Sequence, residues 1–213
     1  MQLLAHRGYW RTPEQKNTLQ ALGHALKNGY GFESDLRDYL GKLVISHNIA
    51  RADSPEAQEV FALLASYQDR FCFAINIKAD GMELLLAQAL KQHHLCNYFT
   101  FDQSVPQLLE YQRAGLRTFT RQSEYERQPV LYEQAAGVWL DAFFDDRWID
   151  RKLIEGHLAA GKQVCIVSPE LHGREPQPFW ERLYSISAGL EGLLICTDLP
   201  DLAKKFFCQE RGV

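Results

Sequence analysis

Short apolar runs alternate with amphipathic stretches along the whole chain. Runs of four to eight apolar or β-branched residues between turn-forming residues predict strands, and apolar residues at helical spacing between them predict helices. In chain order, the predicted strands are QLLAHRG (2–8), GFESDLRDYLGKLVISHN (31–48, with an extended continuation), FCFAINIK (71–78), NYFTFD (97–102), RTFTRQ (117–122), GVWLDAF (137–143), KQVCIVSPE (162–170) and EGLLICTD (191–198).

A helix is predicted after each strand, and several helices carry recognisable start and stop signals. Asn17 and Thr18 can cap the first helix, Pro55 and Ser104 begin two others, and Gly161 ends one. The predicted helices span 17–27, 55–67, 81–94, 104–115, 123–135, 147–161, 177–188 and 199–210, the fifth being interrupted by a proline.

Eight strand–helix units predict a compact (β/α)8 TIM barrel without a sizeable insertion domain, formed by a single domain over residues 1–213. A doubly wound parallel sheet is the alternative fold. Its glycine-rich phosphate-binding turn is not found after the first predicted strand.

Composition and charge exclude several classes of protein. The net charge of −4 does not favour nucleic-acid binding, which usually needs a basic stripe. No apolar run approaches the ~20 residues of a membrane span, and the first residues lack a signal-peptide pattern. The five cysteines form no CxxC motif and lie mostly in apolar runs, which predicts reduced thiols and a cytoplasmic location.

Polar residues gather where the predicted strands end, which is where barrel enzymes place their chemistry. They are His6, Arg7, Glu33, Asp35, Arg37, His47, Asn48, Asn76, Lys78, Asp102, Arg121, Asp141, Ser168, Glu170, His172, Thr197 and Asp198.

Glu33 and Asp35 occupy alternate positions of one strand, so both carboxylates face the same side. Two such carboxylates repel each other unless a cation lies between them. Oxygen ligands suit Mg²⁺ or Ca²⁺, so we predict a divalent cation here. The alternative is a structural ion network with Arg7, Arg37 or Lys78.

Two histidines and two cations complete the predicted site. His6 and His47 follow adjacent strand segments and can act as base and acid. Arg7 and Lys78 supply positive charge suited to a phosphate group, since arginine offers a fork of donors and lysine a point charge.

The segments AHRG (5–8), PEQKNT (13–18), FESDLRD (32–38) and LVISHN (43–48) resemble the glycerophosphodiester phosphodiesterase family, a barrel related to the phosphatidylinositol-specific phospholipases C. The segment EGLLICTDLPDLAKKF (191–206) resembles that family's closing strand and Thr-Asp-x-Pro motif. The resemblance implies that His6 and His47 are the acid–base pair, that Glu33 and Asp35 bind a metal, and that Arg7 holds the phosphate.

The chain also departs from the family pattern. Asn76 stands where the family has a third metal-binding Glu, with Lys78 matching the following Lys, so we predict Asn76 as a weaker metal ligand. Asn48 replaces the Asp that usually follows the second histidine. The insertion that many relatives carry after strand 2 is absent, which leaves room for a bulky headgroup or a glycan-linked phosphate.

The segment VSPELHGREPQPFW (167–180) is not typical of the family. Its Glu170, His172 and Arg174 follow a strand, which indicates a substrate-selecting loop. We predict Glu170 and His172 as substrate-binding residues. Glu170, or less favourably Asp102 or Asp141, is also a candidate for the missing third metal carboxylate. The alternative interpretation is an ordinary polar surface loop.

The predicted activity is hydrolysis of a small-molecule phosphodiester by a metal-dependent phosphodiesterase, with a part in lipid metabolism. The prediction includes no nucleic-acid partner and leaves the oligomeric state open. A barrel that binds a phosphorylated ligand without turnover is the second hypothesis, suggested by Asn76. An aldolase using Lys78 as a Schiff-base nucleophile ranks last, because the acidic pair beside it favours the charged amine.

Overall fold

The computed structural model describes residues 1–209, with side chains through Phe207. Nine strands belong to one sheet, whose order is β5-β4-β2-β1-β9-β8-β7-β6, with β3 attached to β2. Eight strands pair in parallel, and an isolated bridge between Thr100 and Thr118 joins the two ends of this order. The result is a nearly closed (β/α)8 barrel, which confirms the predicted fold.

The strands are β1 (Gln2–His6), β2 (Gly31–Tyr39), β3 (Lys42–Ile45), β4 (Phe73–Ile77), β5 (Tyr98–Phe101), β6 (Phe119–Ser123), β7 (Gly137–Asp141), β8 (Gln163–Val167) and β9 (Leu193–Thr197). The helices are α1 (Leu19–Lys27), α2 (Ala57–Ser66), α3 (Glu83–Gln92), α4 (Val105–Arg113), α5 (Arg151–Ala159), α6 (Gln177–Ile186) and α7 (Pro200–Gln209). Short 3-10 helices cover Pro13–Gln15 and Pro169–His172.

The long second predicted strand is a β-hairpin. Strands β2 and β3 pair antiparallel, with Tyr39 opposite Lys42. Leu40 and Gly41 form the two-residue turn, with φ of 48° and 78°. Positive φ at both turn positions matches the twist of the paired strands. The hairpin returns the chain toward Asp35, whose carbonyl accepts a hydrogen bond from the Ser46 amide at 2.9 Å.

The helix predicted over 123–135 is wrong, because Ser123 ends β6 and residues 124–135 form bends and turns. Side chains of β6 bind its carbonyl groups instead: Thr120 Oγ1 donates to Val130 O at 2.7 Å and Gln122 Nε2 to Arg127 O at 2.9 Å. Pro129 has no amide hydrogen to donate within a helix. The segment therefore connects β6 directly to β7.

Large aromatic side chains fill the inside of the barrel. The ring of Phe99 stacks on Phe119 at 3.7 Å between centroids, and Phe101 stacks on Trp139 at 3.9 Å. Leu4 and Leu194 pack in the same cluster. Because the interior is packed, polar side chains collect above it at the carboxyl ends of the strands.

Four described cysteines are unpaired, and Cys72, Cys165 and Cys196 are buried while Cys96 is exposed. Burial raises the pKa of Cys72 to about 12, so its thiol is protonated at neutral pH. The side chain of Cys208 lies outside the described part. Across residues 1–209, no helix has both the length and the hydropathy that a membrane span requires.

Gly8 provides a stability test of the turn after β1. Its φ is +87°, and an added Cβ would lie 2.7 Å from the carbonyl carbon of Ala21. We expect Gly8→Ala to lower the free energy of unfolding by about 3 kcal/mol, measured by urea denaturation. Gly29→Ala is the matched control, because φ there is +83° but nothing lies within 4 Å of the added Cβ. It should cost only about 1 kcal/mol. Equal losses in both variants would contradict the close approach at Gly8.

Candidate active site

Strand register brings four predicted residues together at the carboxyl end of the barrel. His6 in β1 is the register partner of Glu33 in β2, and Asp35 in β2 is the partner of Asn76 in β4. Glu33 and Asp35 are 1% and 0% exposed, and Asn76 is 8% exposed. The predicted carboxylate pair therefore lies buried between the strands that carry the histidine and the asparagine.

His6 is held by a carboxylate to which the sequence analysis assigned no role. Its Nδ1 lies 2.6 Å from Asp198 Oδ1, and its Nε2 lies 3.8 Å from Glu33 Oε2. Burial raises the pKa of Asp198, but the hydrogen bond from His6 and the positive charges of His6 and Lys16 outweigh it, and the net pKa is lowered. An ionised Asp198 accepts a hydrogen bond from the His6 Nδ1–H, which leaves Nε2 directed at the site.

Asp198 could have been found from the topology. Once the barrel is closed, the last strand pairs with the first, and Thr197 is the register partner of Ala5. The residues that follow this pair are His6 and Asp198, which are therefore neighbours. The signal in the sequence is the TDLP segment directly after the last apolar run.

Arg7 contacts both buried carboxylates. Its amide donates to Glu33 Oε2 at 3.1 Å, and its Nε lies 2.9 Å from Asp35 Oδ2. Arg7 has φ of 55°, a conformation that non-glycine residues seldom adopt. This left-handed turn directs the Arg7 amide toward Glu33 and its guanidinium toward Asp35. Strained backbone conformations of this kind are typical of functional sites.

Asn17 orients Asp35 from the loop between β1 and α1. Its Nδ2 donates to Asp35 Oδ2 at 2.8 Å, and its Oδ1 accepts from Ser34 Oγ at 2.7 Å. The sequence pattern indicates Asn17 only as a candidate cap for α1. Thr18 takes that role, because its side chain accepts from the Ala21 amide.

Lys78 links the acidic pair to the next strand. Its Nζ lies 3.5 Å from Asp35 Oδ1 and 3.8 Å from Asp102 Oδ2. Arg121 in β6 continues the chain of charges, with Nη1 at 3.1 Å from Asp102 Oδ1. Burial raises the pKa of Asp102, and the nearby Arg121 and Lys78 charges only partly offset this.

Three buried oxygen atoms in the site have no hydrogen-bond donor among the described residues: Glu33 Oε1, Asp35 Oδ1 and Asn76 Oδ1. Burial, followed by the negative charge of Asp35, raises the pKa of Glu33 to about 7. Buried polar atoms are rarely left without a partner, and hard divalent cations prefer such oxygen ligands. These residues therefore fit a divalent cation.

The set contains two carboxylates and one amide. Within residues 1–209, no three or more His, Cys, Asp or Glu side chains form a group that could hold a metal. A cation here therefore depends on the Asn76 amide oxygen, and water completes its coordination, as Mg²⁺ and Ca²⁺ commonly allow.

Glu170 lies next to Asp198, and both of its carboxylate oxygens accept hydrogen bonds. Oε1 accepts from Thr197 Oγ1 and, at 3.0 Å, from the Asp198 amide, while Oε2 accepts from Ser168 Oγ. These contacts support a role for Glu170 in fixing the position of Asp198. They give no support to the predicted roles of Glu170 as a phosphate or metal ligand.

His172 and Arg174 lie away from the acidic pair. His172 Nε2 is 2.7 Å from Asp141 Oδ1 at the end of β7. Arg174 pairs with Asp146 and donates to Ala142 O at 2.6 Å. Arg174 therefore braces the β7–α5 loop, while His172 borders the mouth of the barrel on the side of β7.

His47 lies on the exposed loop that follows β3. Its Nδ1 is 3.2 Å from Asn48 Oδ1, and its carbonyl accepts from Arg37. Among the described residues, no hydrogen bond or ion pair joins its ring to His6, Glu33 or Asp35. The preceding Ser46 is bonded to Asp35 O, so the backbone of this loop adjoins the site.

Comparisons with known proteins bear on the fold. No family model matches the chain, and no curated protein matches it. Among solved structures, a glycerophosphodiester phosphodiesterase from Parabacteroides distasonis ATCC 8503 aligns with a TM-score of 0.72 and 15% identity, over 99% of this chain and 98% of that one. A glycerophosphodiester phosphodiesterase from Agrobacterium tumefaciens C58 aligns with a TM-score of 0.70 and 15% identity, over 95% and 98%.

A different barrel aligns less well. A mutant tryptophan synthase α-subunit from Pyrococcus furiosus has a TM-score of 0.58 at 15% identity, over 99% of this chain and 97% of that one. At equal identity and similar coverage, the phosphodiesterases superpose more closely. The resemblance predicted from the sequence is thus confirmed at the level of the fold, which is the barrel found in glycerophosphodiester phosphodiesterases.

Proposed function

We propose that this chain is a divergent member of the glycerophosphodiester phosphodiesterase family. In this proposal it is a metal-dependent phosphoric diester hydrolase that acts on a glycerophosphodiester-like or glycan-linked diester. The observation that carries the proposal is a set of three buried oxygens that accept no hydrogen bond from the described residues, beside a histidine oriented by Asp198. They are Glu33 Oε1, Asn76 Oδ1 and Asp35 Oδ1, the last of which has only the Lys78 ammonium at 3.5 Å. Metal-ligand oxygens beside an acid–base group suit phosphoryl chemistry.

Glu33, Asp35 and Asn76 are the residues that would hold the cation. When bound, Mg²⁺ or Ca²⁺ supplies charge that neutralises the phosphoryl oxygens. The protein's own charges act on the same group. Arg7 and Lys78 each carry several donors, so one donor can contact Asp35 while another contacts a phosphoryl oxygen.

His6 has the geometry of a proton-transfer group. Because Nδ1 bonds to Asp198, Nε2 is the atom that takes or gives a proton at a substrate oxygen. In the proposed reaction a neighbouring hydroxyl of the substrate attacks phosphorus and the bond to the leaving alcohol breaks, giving a cyclic phosphate that water then opens. One histidine accepts the hydroxyl proton and the other protonates the leaving oxygen. We assign the second transfer to His47.

A phospho-ligand-binding barrel without turnover is the second candidate. The observation that favours it is the exposure of His47, whose ring contacts Asn48 and not the acidic pair. The aldolase hypothesis finds no support, because Lys78 lies within 4 Å of two carboxylates and a Schiff-base nucleophile needs a neutral amine. We also propose that the protein is cytoplasmic and takes part in lipid metabolism.

Hydrolysis assays test the proposal directly. We expect the wild type to cleave bis(p-nitrophenyl) phosphate or glycerophosphodiesters with Mg²⁺, Mn²⁺ or Ca²⁺, and to lose this activity in EDTA. His6→Ala should lower kcat by at least about 100-fold, because general acid–base catalysis contributes that much. His24→Ala, which alters a histidine on α1 outside the site, is the matched control. If no diester is cleaved with any metal, the binding barrel is the better account.

The raised pKa of Glu33 predicts a pH dependence of cation binding. Below about pH 7 the Glu33 carboxyl is protonated, and a cation must displace that proton. The apparent affinity for Mn²⁺, measured by titration calorimetry, should therefore fall as pH drops from 8 to 6, by about tenfold per unit below the pKa. Above the pKa it should level off. Glu33→Gln should bind more weakly and lose this pH dependence. An affinity that is flat from pH 6 to 8 in the wild type would refute Glu33 as a ligand.

A further inference from the structure

Three aromatic side chains form a surface on the rim of the barrel, directly after β6 and β7. We call Tyr125, Phe143 and Phe144 the aromatic platform. The Tyr125 ring lies 5.8 Å from that of Phe143 and 5.8 Å from that of Phe144. Tyr125 is 76% exposed and Phe144 is 59% exposed. Contiguous exposed apolar side chains are typical of binding surfaces, and barrel enzymes bind their ligands at this end of the barrel.

The loop after β7, which carries Phe143 and Phe144, is braced from two sides. The Glu124 carboxylate accepts the amides of Phe143, Phe144 and Asp145 at 3.1, 3.1 and 2.9 Å. From the other side, Arg182 donates to the carbonyl and the carboxylate of Asp146 at 2.6 and 2.7 Å. The exposed rings are therefore displayed by a fixed backbone, as a preorganised binding surface requires.

The strands that precede the platform lie on the other side of the barrel from β2, which carries the acidic pair. In the strand order, β7 is four strands from β2 in either direction. A chain of contacts joins the two sides: Lys78 and Arg121 both contact Asp102, and the Arg121 guanidinium lies 5.9 Å from the centroid of Phe143. A diester with its phosphate at His6 would extend its alcohol group toward this side.

Several charges around the platform are paired within the protein, and the Glu124 carboxylate is held by three backbone amides. Glu126 pairs with Arg121, and Asp145 pairs with Arg147. Asp141 pairs with His172. The Arg121 guanidinium lies 5.9 Å from the centroid of the Phe143 ring, and its positive charge disfavours a second cation beside that ring. A neutral ligand therefore suits this surface better than an ionic one.

Polar groups at the edge of the platform favour a hydroxylated ligand over a purely apolar one. The His172 ring lies 4.9 Å from that of Phe143 and its Nε2 bonds Asp141 Oδ1 at 2.7 Å. Carboxylates and imidazoles can share hydrogen bonds with hydroxyl groups, whereas an acyl chain would lie against charged side chains without compensation. A ring with an apolar face and hydroxyl edges matches both features.

We propose that the aromatic platform binds the alcohol portion of the substrate and that this portion is a neutral polyhydroxylated ring, as in a sugar or a cyclitol. The ring's C–H face packs on Tyr125 and Phe144, and its hydroxyl groups bond the Asp141–His172 pair. This inference rests on the proposed phosphodiesterase function. It assigns His172, predicted to bind substrate, to the alcohol group and not to the phosphate.

A specificity comparison tests the platform. Three glycerophosphodiesters serve as probes, with myo-inositol, glycerol or choline as the second alcohol, and cleavage is followed by phosphorus NMR. We expect the ratio of kcat/KM for the inositol diester to that for the glycerol diester to fall about tenfold in Phe144→Ala and in Tyr125→Ala. Tyr125→Phe keeps the ring and should keep the ratio within about twofold.

Leu84→Ala is the matched control, because Leu84 on α3 is also strongly exposed, at 71%, and lies outside the platform. It should leave the ratio unchanged. An unchanged ratio in Phe144→Ala and Tyr125→Ala would overturn the inference. A fall confined to the choline diester would also overturn it, because that result assigns the rings to a cation.

Binding measurements distinguish a failure of this inference from a failure of the proposed catalytic function. Titration calorimetry of the inositol diester on His6→Ala and on the double variant His6→Ala, Phe144→Ala needs no turnover. If the wild type cleaves no diester but the double variant binds the inositol diester about tenfold more weakly than His6→Ala, the catalytic proposal fails and the platform stands. Equal affinities of the single and the double variant would refute the platform as a binding surface, whatever the catalytic activity of the wild type.

Discussion

Two like-charged carboxylates, Glu33 and Asp35, are buried side by side on one strand, and the rest of the site is arranged around that fact. Removing both from water without compensation is costly, and each favours protonation of the other. The neighbours that offset this are the Arg7 amide and guanidinium, the Asn17 amide and the Lys78 ammonium. One oxygen atom of each carboxylate still accepts no hydrogen bond from the described residues, and a divalent cation would bind these two atoms.

Barrel closure assembles the groups that serve this pair. Strand β1 is bordered by β2 on one side and by β9 on the other, so His6 lies between Glu33 and Asp198. Glu170 in turn accepts hydrogen bonds from Thr197 and Asp198, which fixes the corner after β9. His6 and Asp198, 192 positions apart in the chain, are thus brought within hydrogen-bond distance. The same closure places the β7 rim across the mouth from β2, where a substrate's alcohol group can extend.

Local patterns in the chain predicted much of this arrangement. Alternating strands and helices indicated the barrel, and the spacing of Glu33 and Asp35 placed both carboxylates on one face. The strand-end positions of His6, Arg7 and Lys78 put these side chains beside Asp35 or Glu33. These inferences hold because strand periodicity and the polarity of strand ends are local properties.

Other features depend on contacts that local patterns do not encode. The role of Asp198 requires the pairing of the last strand with the first. The turns over 124–136 replace a predicted helix because β6 side chains capture the backbone of that segment. Glutamate is a common metal ligand, but the carboxylate oxygens of Glu170 accept hydrogen bonds from Ser168 and Thr197. The exposed position of His47 follows from the β2–β3 hairpin, which the sequence analysis treated as one extended run.

Every role proposed for these residues depends on a divalent cation held by Glu33, Asp35 and Asn76. The most direct measurement is anomalous X-ray scattering from crystals of the protein soaked in Mn²⁺, with Asp35→Asn crystals treated identically. The account predicts an anomalous peak within about 2.5 Å of Glu33 Oε1, Asp35 Oδ1 and Asn76 Oδ1 in the wild type, and a weaker or absent peak in the variant. A well-occupied peak elsewhere, or Lys78 bonded directly to these oxygens with no metal at saturating Mn²⁺, would contradict it.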